Sequence, residues 1–582
     1  MAHFLRIRPT SPAPAVLSRP LCVTLWLLFS VHLGYGQDLA AIGKAKPLKV
    51  TGGLTTNHIF YGASSNGGRR DPYSFFFSGN VNFDLYGWSV PLSFTYSNQQ
   101  SSFQQPFNQY GIRPTYKWAT GYLGYNSLTF SPYTLNGHIF YGAGVELAPT
   151  GIFKLTALYG RFQQSVPLDT LSGAENIPAF RRMGYGLKMS VQKDRDFVDL
   201  ILFRARDQVR SLPYVPDTID VLPEENLVLS LNAGKALLGK LLLTAEFATS
   251  AMARDLRSEK DSMSKPGLFR YTGRLYTPNN SSAYYNAFKS GLTYNGGSFT
   301  AGLGYERIDP GYRTLGAYFF NNDVENITVN ATTQLFAGKV SLAANVGSQR
   351  NNLQNQNASN LRRLVGSINV GIAPSEALNV NVTYSNFQSF TRIRSQFDRI
   401  NQLTPYDFLD TLDYVQVSQT ANASASYQLG KGENAQMLTG SLSYNQSDDR
   451  QGNQNTFSYF YNASTGYSRT FRPLQLQVTA SLNGSWSKMS GVASWQAGPT
   501  LAAGRDFLAK KLRSTAAFSF NQSYTGSQPG GRILNARLTG SYRLAKKHNF
   551  NLSTVWLSRR TQVPVANGFH EVTANLGYAY QF

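Results

Sequence analysis

The segment SGNVNFDLYGWSVPLSFTYSN, Ser78 to Asn98, alternates in two registers about a central Tyr86-Gly87. Gly79, Val81, Phe83 and Leu85 take every second place before it, with Asn80, Asn82 and Asp84 between them. Beyond it, Trp88, Val90, Leu92, Phe94 and Tyr96 interleave with Ser89, Pro91, Ser93, Thr95 and Ser97. Successive side chains of a strand point to opposite faces, so this period of two predicts a hairpin with one apolar and one polar face. A soluble sandwich would turn the apolar face into a core, whereas a membrane barrel would turn it toward lipid around a wet lumen.

The rest of the chain separates these. LNVNVTY (378–384), LTGSLSY (438–444) and LQVTASLNGSW (476–486) repeat the design with Asn, Ser, Thr and Gln as the polar partners. The outer face of a sandwich normally carries Lys and Glu; a lumen accepts neutral polar groups, which favours the barrel. The chain is 582 residues long, 42% hydrophobic and 15% charged, with 51 Gly, 34 Tyr and 37 Phe. Beyond the N-terminal region no stretch supplies the roughly 20 apolar residues of a spanning helix. A mean hydropathy of −0.28 is likewise too polar for a helical membrane protein.

The N-terminal region reads as an export signal. Arg6, Arg8 and Arg19 precede the apolar run LCVTLWLLFSVHL (21–33) and the small residues of GYG (34–36). Cleavage is expected before Gln37, giving a signal peptide over 1–36 and one barrel domain over 37–582. An uncleaved anchor helix is disfavoured because the run is short. Cys22 opens the run, where a lipoprotein cysteine would close it, so the mature chain is expected to hold no disulfide. The formal charge is +22; without the three signal arginines, 51 bases stand against 32 acids, about +19. No basic helix or reading module accompanies that charge and nucleic acid is not expected as a partner; basic residues would favour anions in a lumen and lipid phosphates at a rim.

Short connectors alternate with long ones, as expected of short periplasmic turns and long external loops. Short turns are expected at 86–87, 149–151, 193–196, 237–240, 295–298, 336–339, 374–377, 430–434, 472–474, 508–511 and 544–548. Longer polar segments fall at 207–225, 251–283 and 387–415. The fold class expected is all-β, a large transmembrane antiparallel β-barrel of roughly 26 strands (24–26). HEVTANLGYAYQF ends on a bare aromatic strand and is similar to the terminal strands of Gram-negative outer-membrane proteins, which implies an assembly signal at Leu576, Tyr578, Tyr580 and Phe582. In a barrel this strand would close against the first, near residues 48–61, and abolish an edge. Two features resist the scheme. Pro91 lies within a strand and forfeits a ladder hydrogen bond. HIFYGA occurs at 58–63 and 138–143, in strands assigned opposite directions.

Three segments resemble recurring stretches of large outer-membrane barrels of the Bacteroidota, a group without an established activity: 125–147, 222–234 and ERIDPGYRTLGAYFFNNDVENITVN (306–330). The resemblance implies an outer-membrane location and a barrel fold, and no substrate.

No catalytic or cofactor site is expected. His58, His138, His548 and His570 lack metal-ligand spacing, and no G-x-S-x-G elbow singles out a serine. Asp309, Asn321, Asn322, Asp323 and Glu325 offer oxygen ligands but lack the spacing of a calcium loop, so a hydrogen-bonded turn is favoured. In 389–414, Arg392, Arg394 and Arg399 face Asp407, Asp410 and Asp413 in sequence. That loop would make a transverse field at a constriction or, alternatively, pair with itself or with lipopolysaccharide. A second basic loop, with Arg254, Arg257, Lys260, Lys265, Arg270 and Arg274, fits lipid-phosphate contact and an anion vestibule equally. No plug of a hundred residues precedes the strand pattern at Leu48, so loops or a partner must fill any closed lumen.

The function expected is a porin-like channel with a basic, anion-leaning lumen; the alternative is a non-enzymatic scaffold in secretion or surface assembly. The partners expected are outer-membrane lipid and lipopolysaccharide, the barrel-assembly machinery, and a plug or secretion protein.

Overall fold

The computed structural model describes residues 48–64, 71–98, 108–168, 178–213, 219, 221–260, 266–354, 362–390, 414–430, 435–451, 454–489, 491–561 and 568–582. The opening hairpin forms as its alternation predicts. Tyr73–Leu85 and Trp88–Ser97 pair antiparallel with Leu85 opposite Trp88, Phe83 opposite Val90, Val81 opposite Leu92 and Gly79 opposite Phe94. One face of the pair is therefore apolar on both strands. At the turn Tyr86 has φ 46° and Gly87 φ 86°, the positive angles that let a two-residue turn follow the right-handed strand twist.

Pro91 finds its explanation in the next strand, which is interrupted opposite it. Gln109–Ile112 pairs with Phe94 and its neighbours, Thr115–Tyr116 pairs with Ser89 and Trp88, and the ladder lapses between. Arg113 N–H still donates to Pro91 O at 2.9 Å. The gap falls where proline has no N–H to return.

Counting those two pieces as one strand, 26 antiparallel strands make a single closed sheet. Leu48–Ala63 pairs with Phe569–Gln581, from Gly53 opposite Gln581 to Ala63 opposite Glu571. Phe582 and Gly52 add reciprocal backbone hydrogen bonds of 3.1 and 3.2 Å. Closure leaves no sheet edge with unpaired backbone groups, the condition for strands to cross a bilayer. Among the described residues the only helices are 3₁₀ turns at Val209–Ser211, Gly267–Tyr271 and Gly273–Leu275.

Both termini of the sheet lie at the rim of the short turns. The expected turns connect strands at that rim wherever they are described, and the sequence pattern missed one, Lys117-Trp118. The two HIFYGA copies lie in the first and sixth strands and run antiparallel, so they are not a structural repeat.

Most strands in the second half keep the alternation, with exceptions such as Val555 and Leu557 on the inner face. Leu378, Val380, Val382 and Tyr384 share the outer face with Ala421, Ala423 and Ala425, while Asn379, Asn381 and Thr383 turn inward. The first half differs. Buried apolar side chains run from Tyr122 to Val365, and many sit on the inner face. The core is therefore a one-sided filling of the barrel.

Candidate functional site

The filling is built by the loop of residues 309–323, which follows the strand Phe299–Ile308 and folds into the barrel. Its entry is a type II turn, Asp309-Pro310-Gly311-Tyr312. Proline presets the first central angle, Gly311 supplies φ 80°, and Tyr312 N–H donates to Asp309 O at 3.1 Å. Asp309 also accepts from Asn286 N–H at 2.8 Å.

From there the loop is fastened to the inner wall by buried polar groups. Asn226, fully buried, donates to Ser250 Oγ at 2.8 Å and to Arg313 O at 3.4 Å, and accepts from Leu315 N–H at 3.1 Å. Ser250 Oγ donates to Arg313 O at 2.7 Å. Thr314 Oγ1 donates to Thr134 O at 2.6 Å, Tyr312 donates to Tyr133 O at 2.9 Å, and Asn136 N–H donates to Gly316 O at 2.9 Å. Buried groups of this kind hold a segment because each would be left unsatisfied if it left.

Charge adds a second tie. Arg313 Nη1 lies 2.6 Å from Glu224 Oε1; the other Glu224 oxygen lies 3.0 Å from Arg182, which also contacts Asp207 at 2.7 Å. Burial works to raise the Glu224 carboxyl, but Arg313 and Arg182 outweigh it and hold it below its ordinary value of 4.5.

Apolar contact completes the seat. Leu315 packs with Phe130, Leu135, Phe140, Phe162, Phe203 and Met252. Tyr318 stacks on His138 at 4.1 Å and accepts Ile139 N–H at 3.0 Å. Beside this seat lies a cavity of about 210 Å³, lined in part by Tyr133, Glu306, Phe319, Phe320, Asn326 and Gln349. Tyr133 donates to Glu306 at 2.5 Å, and Gln349 to Asn326 at 2.9 Å.

The same wall is covered on its other side. Residues 266–276 fold over the outer face near the long-loop rim, where Phe269 and Tyr276 pack on Leu227, Ala251 and Ala253. Asn226 and Leu227 are neighbours that meet opposite loops.

The three segments 125–147, 222–234 and 306–330 meet at the inner seat, through Tyr133, Thr134 and His138, through Glu224 and Asn226, and through Arg313, Leu315 and Tyr318. Alternation alone missed this convergence. A signal was present: Leu200, Ile201, Leu202 and Phe203, and Leu227, Val228 and Leu229, are unbroken apolar runs, the pattern of strands covered on both faces.

The other expected residues fall elsewhere. Arg392, Arg394, Arg399, Asp407, Asp410 and Asp413 lie outside the described residues. Leu576, Tyr578, Tyr580 and Phe582 share the outer face of the closing strand, with Tyr580 and Phe582 rings 5.5 Å apart and Tyr578 4.9 Å from Phe550. Among the oxygen-rich residues, Asp323 accepts Asn352 N–H at 3.0 Å and Leu353 N–H at 2.8 Å, and Glu325 pairs with Arg350. These are hydrogen-bonded turn and rim contacts. His58, His138, His548 and His570 sit on separate strands or strand ends.

A closed, all-antiparallel sheet of this size with an apolar outer face is the fold of large outer-membrane β-barrels. No known family and no curated protein matches the chain. Among solved structures it is similar to the P pilus usher (PapC) translocation pore, with 12% identity over 92% of this chain and 100% of that one, TM-score 0.38. The copper transporter OprC gives 10% identity over 91% and 80% of the two chains, TM-score 0.37. The FrpB iron transporter from Neisseria meningitidis (F3-3 variant) gives 10% over 94% and 83%, TM-score 0.36. Likeness at this level carries no argument about function, which has to come from the chain's own geometry.

Proposed function

We propose that this chain is an outer-membrane channel, exported by a signal peptide over residues 1–36, with its short turns in the periplasm and its long loops outside. Its loop 309–323 narrows one side of the lumen and leaves the opposite wall to conduct. The observation that carries the reading is the one-sided filling: described buried apolar side chains stop at Val365. Along the later strands the inner face is mostly polar, with Gln477, Thr479, Ser481 and Asn483 on one strand and Asn549, Asn551 and Ser553 on another, as a water path requires.

The anion preference expected from composition narrows to that wall. Arg513, Arg537, Arg543 and Arg559 take inner-face positions on three adjacent strands, from the turn rim to the loop rim. Inner-face acids of the filled half are partly neutralised, Asp199 by Lys188 at 3.1 Å and Asp207 by Arg182. Purified protein in a planar bilayer is expected to give steady conductance with a reversal potential favouring chloride. Arg537→Glu with Arg559→Glu should move that potential toward the cation side.

The alternative, a scaffold for secretion or surface assembly, gains support from the inner loop as a plug. A silent bilayer with a stoichiometric co-purifying protein would establish it instead. In either role Leu576, Tyr578, Tyr580 and Phe582 serve as the assembly signal, the loop of 389–414 is a candidate constriction, and the chain belongs with the Bacteroidota barrels that its three segments resemble.

A further inference from the structure

We propose that residues 266–276 form a docking site for the phosphorylated headgroup of an outer-leaflet lipid, on the outside of the barrel. The sequence left this basic loop open between a vestibule and a lipid contact; its packing decides between them. Phe269 and Tyr276 are buried at 2% and 0% exposure against Leu227, Ala251 and Ala253. By strand register these three belong to the outer face, continuous with the exposed Leu231 and Phe247. Small residues at 251 and 253 make room for the two rings. Tyr276 also donates to Ser282 Oγ at 2.9 Å.

Thr272 is also buried, its hydroxyl donating to Phe269 O at 2.7 Å, and the large side chains that remain are exposed. Leu268, Tyr271 and Leu275 are exposed at 51%, 73% and 37%. Arg270 and Arg274 stand between them, Arg270 over the Tyr271 ring at 4.7 Å. No acidic side chain among the described residues pairs with either arginine. Apolar and aromatic tips alternating with guanidinium groups are the composition of a membrane interface, where rings settle at headgroup depth and arginine forks meet phosphate. The site joins the apolar outer face at the long-loop rim, so it lies where that surface passes from acyl chain to headgroup. Beneath the loop, Glu225 is held by Arg204 at 2.5 Å and Arg206 at 3.5 Å, so its charge does not repel an approaching phosphate.

This inference rests on the membrane-barrel reading, and its test separates the two. Protein purified in detergent micelles is mixed with bis-phosphorylated lipid A, or with the same lipid stripped of both phosphates, and retained lipid is counted by native mass spectrometry. The wild type should retain the phosphorylated form about tenfold better, and Arg270→Ala with Arg274→Ala should remove that preference. Leu268→Ser with Tyr271→Ser should weaken both forms alike. Heat-modifiable gel migration checks that each variant remains a folded barrel. Equal retention of the two lipids by the wild type, or an unchanged preference in the arginine variant, overturns the docking site and leaves the barrel standing. A protein that stays dispersed without detergent would overturn the barrel itself.

Discussion

Leu315 donates its backbone N–H to the side-chain oxygen of Asn226 over 3.1 Å, and through that bond a loop that leaves the sheet at Ile308 is tied to a strand nearly 90 residues earlier in the chain. Asn226 is fully buried and its amide also donates to Ser250 and Arg313. Asn226→Ala would strand the Leu315 N–H, at a cost of about 1–3 kcal/mol, while the Arg313 carbonyl keeps its bond from Ser250 Oγ. The barrel should survive, since its ladder is untouched. Higher single-channel conductance, with unchanged heat-modifiable migration, is the expected result.

Gly316 tests the seat by volume. A Cβ there would lie 2.6 Å from Thr134 O and 2.9 Å from the Phe203 ring, too close to a backbone atom to be relieved by a rotamer change. Gly316→Val should therefore displace the loop more fully than Asn226→Ala. Limited proteolysis within 309–323 should be faster in the variant and slow in the wild type.

Acid should loosen the same loop. The carboxyl of Glu224 is held below 4.5 by Arg313 and Arg182 against the opposing effect of burial. A group whose value is lowered in the folded state stabilises that state above its unfolded value and loses the contribution as pH falls through the folded one. The Glu224 contribution to loop closure is thus expected to be complete above about pH 4.5 and to be lost progressively as pH falls below it through the lower folded value. Conductance recorded from pH 7 down to 3 should rise in the wild type, and Glu224→Gln should already be raised at neutral pH.

Deleting Phe582 should lower assembly. The residue contributes two backbone hydrogen bonds to Gly52 at the seam and a ring packed on Tyr580. The variant is expected to reach the folded, heat-modifiable form in smaller yield in membranes. An undiminished yield would remove the assembly role from this terminus.

The fold was legible because its signals are local. Tyr86-Gly87 between two alternating runs specifies a hairpin, and repeating that pattern predicted both the number of strands and the pairing of the last with the first. The inner seat was legible only in fragments. Asp309-Pro310-Gly311-Tyr312 announces a turn, and Leu200 to Phe203 announces a strand covered on both sides, but neither says that the one meets the other.

The sequence by itself determined the sheet: period two selects which side chains meet lipid, and turn chemistry sets the register of neighbours. The tertiary structure decided the loops. Residues 266–276 and 309–323 both carry arginine and aromatic side chains, yet the first folds over Leu227 and Ala251 on the outer face while the second folds over Asn226 and Ser250 on the inner one. Adjacent residues of one strand point to opposite sides of the wall. Which loop each receives depends on the shape and unpaired polar groups it offers, and those become a surface only when the distant strands have closed into a barrel.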